Sequence, residues 1–220
     1  SSDVCSSDLN SPSEYLMMDL RNKKLAYSTT NGTVTILRAK GCKRLYIGAF
    51  VNLRAVADRI VQETASESVA ILCSGWKNEP CLEDTLFAGA LVSELGRKAA
   101  EVTLCNDGAL MAEHLWNTAK DDLYGFCKSA THVVRLKRLG YDNDVKLALR
   151  CNEMDVAPVY DKEIGDAHKN ADIHIHDLSM LTGYCAGWSL KQLIKEGLGG
   201  VTGKITSSPA RHLSTLCNQM

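Results

Sequence analysis

The sequence predicts an α/β protein with a largely parallel or mixed sheet and flanking helices. Three observations lead there. Short β-type runs alternate with longer amphipathic segments, so that strand, loop and helix recur in that order three times across the first half. Turn chemistry punctuates the runs, as in Thr30-Asn31-Gly32-Thr33. Hydrophobic residues make up 45% and charged residues 23% of the 220 residues, a globular balance with room for one ordinary domain or two small ones.

Residues 1–9, SSDVCSSDL, are polar and aperiodic and are set apart as a disordered stretch; they resemble the translation of a sequencing adapter. Leu25 to Thr29 is a short β-type run closed by the Asn-Gly turn. Thr33 to Lys40 follows as a helix, with Val34, Ile36 and Leu37 apolar. Arg44 to Ile47 is predicted as a strand, and Asn52 to Glu63 as a helix that aligns Leu53, Val56, Ala57 and Ile60. Val69 to Ser74 has the apolar run of a buried strand. A loop through Pro80 then leads into a helix from Leu82 to Leu95. Two further helices are predicted, over Gly108 to Lys120 and over Leu123 to Leu139.

Near Pro158 to Asp161 the character of the chain changes. Glu163 to Lys169 reads as a helix end, Asp172 to Leu178 as an alternating strand, and Trp188 to Glu196 as an amphipathic helix. Gly197 to Gly203 reads as a Gly-rich loop, and Pro209 to Met220 as a helix with Leu213, Leu216 and Met220 on one face. The organisation expected is residues 1–9, a domain over 10–158, and a second piece over 159–220.

A formal net charge of -1 gives no reason to expect nucleic acid or an acidic membrane as partner. The longest apolar runs fall short of a membrane span, and no signal peptide is visible, so a cytoplasmic location is expected. The nine cysteines include no CxxC pair, which removes the basis for a zinc ribbon or a thioredoxin-like site. Most are expected to be small buried hydrophobes.

In an α/β sheet, reactive groups collect where strands end and helices begin. Three junctions qualify here. Thr29-Thr30-Asn31-Gly32-Thr33 offers hydroxyls and backbone amides at a helix start, which suits a phosphate; on spacing alone an Asn-Gly turn with Thr caps is the favoured reading. Cys73-Ser74-Gly75 precedes Leu82-Glu83-Asp84, whose adjacent carboxylates could hold Mg²⁺ and orient water, or simply complement the helix dipole. Asn10-Ser11-Pro12 is plain turn chemistry.

Taken in order, Asn10-Ser11-Pro12, Thr29 to Thr33, Gly48-Ala49-Phe50-Val51-Asn52, Cys73-Ser74-Gly75 and Leu82-Glu83-Asp84-Thr85 resemble the 2-phosphosulfolactate phosphatase family. Ser129, His132, Leu139-Gly140, Asp144-Val145 and Asp155-Val156-Ala157-Pro158 agree with it. The resemblance implies a Mg²⁺-dependent hydrolase of the coenzyme M route, removing phosphate from a small-molecule phosphomonoester, in a fold that could also form an oligomer. It assigns Ser11, Thr30, Asn31, Gly32, Thr33, Ser74 and Gly75 to substrate, Asn31, Glu83 and Asp84 to catalysis, and Glu83 and Asp84 to the metal. Members of the family carry a further Asp-Val-Leu-Arg-Ala type segment before the Asn-Ser-Pro turn. Here the adapter-like string stands in that place, so an incomplete phosphatase fold with little activity is expected.

His174, His176 and Asp177, with His168 and Cys185, permit either a metal site or a polar strand lining a cleft. The string from Tyr160 to Leu178, with Gly183 to Trp188 and His212 to Gln219, resembles anaerobic ribonucleoside-triphosphate reductase, a glycyl-radical enzyme. That resemblance implies a short fragment of a ten-stranded α/β barrel, in which Cys185 takes the place of a cysteine that acts in radical reduction. Two parentages in one chain, with no linker or shared pathway, suggest a chimera made by misassembly.

Overall fold

A computed structural model describes residues 4–5, 11–17, 25–26, 29, 31–39, 41–63, 68–76, 79–99, 102–160, 201–204 and 212–213. Thr30 and Cys185 lie outside the described residues, as do the predicted segments Glu163–Lys169, Asp172–Leu178 and Trp188–Glu196 and the histidines within 161–200.

In chain order the elements are β1 Val4–Cys5, α1 Pro12–Tyr15, β2 Leu25–Ala26, α2 Gly32–Ala39, a 3₁₀ turn Phe50–Asn52, α3 Leu53–Glu63 and β3 Ser68–Ile71. There follow α4 Leu82–Lys98, β4 Thr103–Leu104, α5 Asp107–Ala119, α6 Leu123–Cys127, α7 Thr131–Arg138, α8 Asp142–Ala148, β5 Val201–Lys204 and β6 His212–Leu213. Among the described residues helices dominate and strands are few, an arrangement consistent with an α/β fold.

The packing grows around α4. Leu86 to Val92 and Leu95 are all buried, so this helix is enclosed on most of its faces rather than on a single stripe. One side receives the Leu53, Val56, Ala57 and Ile60 stripe of α3, as the apolar spacing predicts. The other receives α5, and here Gly89 is required: a Cβ at this position would overlap the carbonyl oxygen of Ala112. Phe50 sits at the centre, edge-on to Phe87 at 5.6 Å and stacked with Trp116 at 6.0 Å.

The sheet is mixed, in the order β4-β6-β3-β5. β6 runs parallel to both of its neighbours, while β5 is antiparallel to β3. A separate parallel pair joins Val4 to Leu25 and Cys5 to Ala26, so these two residues of the 1–9 stretch, expected to be disordered, form a strand instead.

Five further sequence expectations need correction. Arg44 to Ile47 is not a ladder strand; it makes one antiparallel bridge, Tyr46 with Val159, flanked by Ile47 N donating to Pro158 O at 3.0 Å and Tyr160 N to Leu45 O at 2.9 Å. The single helix expected over Leu123 to Leu139 is two, because Ala130 is extended (φ -61°, ψ 138°) and re-aims α7. The Gly-rich loop and the terminal helix contain β5 and β6, whose backbones pair with the open edges of β3 and β4. Among the described cysteines Cys127 is buried, whereas Cys42, Cys105 and Cys151 are exposed; Cys42 stands between Gly41 and Lys43 in an irregular segment, and Cys105 and Cys151 lie just past the ends of β4 and α8. α8 has no counterpart among the expected elements. No helix among the described residues is long and apolar enough to cross a membrane.

Candidate active site

A cavity of about 450 Å³ opens between α2 and β3, lined among others by Gly32, Thr35, Arg38, Arg44, Ser74 and Asp84. The chain reaches its polar wall by leaving β3 at Ile71 and turning at Gly75, whose φ of 65° is cheap only for glycine. That turn aims the Gly75 amide at Asp84 Oδ2, 2.9 Å away. Cys73 Sγ donates to the Asp84 carbonyl at 3.5 Å, which further seats the loop on the first turn of α4. Ser74 and Asp84 are both buried, at 3% and 5% exposure. The structure therefore brings Gly32, Ser74, Gly75 and Asp84 to one place.

Glu83 goes elsewhere. Successive helix residues point about 100° apart, so adjacent carboxylates do not converge. Its Oε1 lies 3.0 Å from His132 Nδ1 at the start of α7, and its Oε2 is buried with no hydrogen-bond partner among the described residues. Burial pushes the Glu83 carboxyl upward, but hydrogen bonds from His132, from its own backbone amide and from Cys81 outweigh it and hold the group below the ordinary glutamate value. His132 stacks on Trp76 with centroids 5.7 Å apart and rings 11° from parallel. The Arg135 guanidinium lies 5.5 Å from the same indole.

At the start of α2 the hydroxyls are used locally. Thr33 N donates to Thr29 Oγ1 at 3.2 Å, and Thr29 N to Thr33 Oγ1 at 2.9 Å, a reciprocal cap. Asn31 is half-buried, and its carbonyl accepts from Thr35 N at 3.0 Å and from Thr35 Oγ1 at 3.2 Å.

Ser11, also buried, shares a hydrogen bond with Ser13 Oγ at 2.9 Å. Ser13 N donates to Asp144 Oδ1 at 3.1 Å; Asp144 is 1% exposed, and its Oδ2 has no partner among the described residues. The start of α1 is thus tied to α8. Sequence reasoning missed Cys81, Trp76 and Asp144 as neighbours of site residues. All three contacts are long-range in sequence or depend on helix phase, and no local motif signals them.

Residues 7–163 match the family profile of 2-phosphosulpholactate phosphatase, more than half of the chain. The chain belongs to that family. Residues 146–220 match the profile of anaerobic ribonucleoside-triphosphate reductase, overlapping the first match at 146–163. A protein of Prochlorococcus marinus named probable 2-phosphosulfolactate phosphatase is 40% identical over 148 residues, 66% of this chain and 59% of that protein. Its namesake in Parasynechococcus marenigrum is 38% identical over 150 residues, 68% of this chain and 62% of its own length. That of Caldicellulosiruptor saccharolyticus is 31% identical over 149 residues, 66% of this chain and 61% of its own. The chain spans about three fifths of the length of these relatives.

Proposed function

We propose that residues 10–158 carry part of the active site of a Mg²⁺-dependent phosphomonoesterase that hydrolyses 2-phosphosulfolactate to sulfolactate and phosphate. The observation that carries the reading is the convergence of Gly32, Ser74 and Asp84 on one cavity in a chain of this family. The donors at Asp84 suit Mg²⁺, which takes oxygen ligands and is commonly held by one or two carboxylates together with substrate phosphate. When bound, the ion supplies Lewis-acid neutralisation of phosphate charge. Asp84 would hold it. The Gly75 turn fixes that carboxylate through its amide, and Ser74 is buried in the same cavity lining; the α2 start with Asn31, Gly32 and Thr33 would receive the phosphate.

The test is phosphate release from 2-phosphosulfolactate, with and without Mg²⁺, by a full-length relative carrying the equivalent of Asp84→Asn, beside Mg²⁺ binding by this chain and its Asp84→Asn variant. Loss of both supports the assignment. A Mg²⁺ affinity left unchanged by the substitution sinks it.

The second family match favours a second reading for residues 159–220: a piece of the radical reductase barrel in which Cys185 stands at the substrate-facing position. A chimeric origin accounts for both matches. Single sequencing reads spanning the codons for Pro158 to Asp161 at normal depth would overturn it.

A further inference from the structure

We propose that Cys81, Glu83 and His132 form a site for a thiophilic divalent cation, Zn²⁺ in the first instance, separate from the Mg²⁺ position at Asp84. One ligand atom from each of the three residues lies within 4.8 Å of the other two. The set is a thiol sulfur, a carboxylate oxygen and an imidazole nitrogen; Zn²⁺ takes all three, whereas Mg²⁺ accepts the carboxylate and disfavours the sulfur and the imidazole. Glu83 is the second, independent sign. It is only 5% exposed, yet Oε2 has no hydrogen bond among the described residues. A buried carboxylate oxygen without a partner is rare, and a cation would satisfy it.

The elements hold the donors at the right scale. Cys81 is the N-cap residue of α4, Glu83 lies in its first turn, and His132 is held from α7 by its stack on Trp76. Zinc–ligand bonds of about 2.0–2.3 Å place ligand atoms roughly 3.3–3.6 Å apart in a tetrahedron. Small side-chain rotations therefore suffice, and three protein ligands leave a fourth position open for water or an anion. Loading replaces the Glu83–His132 hydrogen bond: the Cys81 thiol loses its proton to solvent, and His132 binds as the neutral tautomer protonated at Nε2.

The experiment is Co²⁺ titration of the full 220-residue chain in the presence of excess Mg²⁺, read by visible d–d bands and thiolate-to-cobalt charge transfer. The expected result is a charge-transfer band that Mg²⁺ does not displace and Zn²⁺ does. Cys81→Ser should abolish it, and Glu83→Gln and His132→Gln should weaken Co²⁺ binding by about tenfold or more. Cys105→Ser, at an exposed cysteine outside the cluster, should leave the band in place.

Because these variants could also disturb folding, a second measurement uses the unaltered chain: Zn²⁺ should slow iodoacetamide labelling of Cys81 and leave Cys105 unprotected. A band that survives Cys81→Ser, displacement by Mg²⁺, or labelling of Cys81 that ignores Zn²⁺ would overturn the proposal. The inference stands apart from the phosphatase reading, since Asp84→Asn should abolish the Mg²⁺ response while the cobalt spectrum persists.

Discussion

His132 Nδ1 meets Glu83 Oε1 at 3.0 Å across 49 residues of chain, tying the first turn of α4 to the start of α7. Removing the imidazole takes one donor from a buried carboxylate, which costs about 1–3 kcal/mol when an acceptor loses its donor. His132→Ala is therefore expected to lower the urea midpoint with little change in slope. His132→Gln, which keeps a donor, should recover part of the loss. Equal midpoints for wild type and His132→Ala would show that the pair contributes nothing.

Two glycines of α4 should respond in opposite directions. Gly89→Ala pushes a methyl group into the Ala112 carbonyl and should destabilise by about 1–3 kcal/mol as the helices separate. At Gly96 the space a Cβ would take has no neighbour within 4 Å, so alanine should stabilise by about 0.5–1 kcal/mol through helix propensity. Thermal melts of the two variants make the comparison.

Acid should expose the contribution of Asp142. Its hydrogen bond with Lys146 comes first, then that from Tyr124, and together they lower its carboxyl from 3.8 to about 2. A depressed folded-state value means the contribution is fully present above the ordinary carboxylate range and is lost as pH falls from about 3.8 toward 2. Asp142→Asn should flatten that limb of the stability curve. The carboxylate is partly open to solvent, so added salt should shrink the difference.

Thiol reactivity should sort by depth. Burial first, and the nearby Glu83 charge second, push the Cys127 thiol up to about 12, so it stays protonated at neutral pH. Peptide mapping after brief alkylation should find Cys42 and Cys105 modified and Cys127 intact, with Cys127 reacting only under denaturant. Early modification of Cys127 would contradict the packing.

Much of this fold is legible because helices advertise themselves locally. The stripe Leu53, Val56, Ala57 and Ile60 predicts α3 and its buried face together. The α6–α7 break is illegible, since the apolar period runs straight through Ala130 while its backbone does not. At the candidate site, Ser74, Gly75 and Asp84 can be guessed as a junction, and the structure does bring them together. That Glu83 and Asp84 part company is also readable in principle from helix phase. Its partner His132 is not, because a pairing between distant helices leaves no trace in either segment alone.

The bridge between residues 45–47 and 158–160 has a bearing on how this chain can be cut and joined. Pro158 and Tyr160 supply the carbonyl and amide that complete Ile47 and Leu45, and Tyr160 is itself 5% exposed. The seam thus behaves as a clasp belonging to the upstream body. An expression boundary drawn at residue 157 would unfasten it, whereas one drawn just past Tyr160 would keep it shut whatever sequence came next.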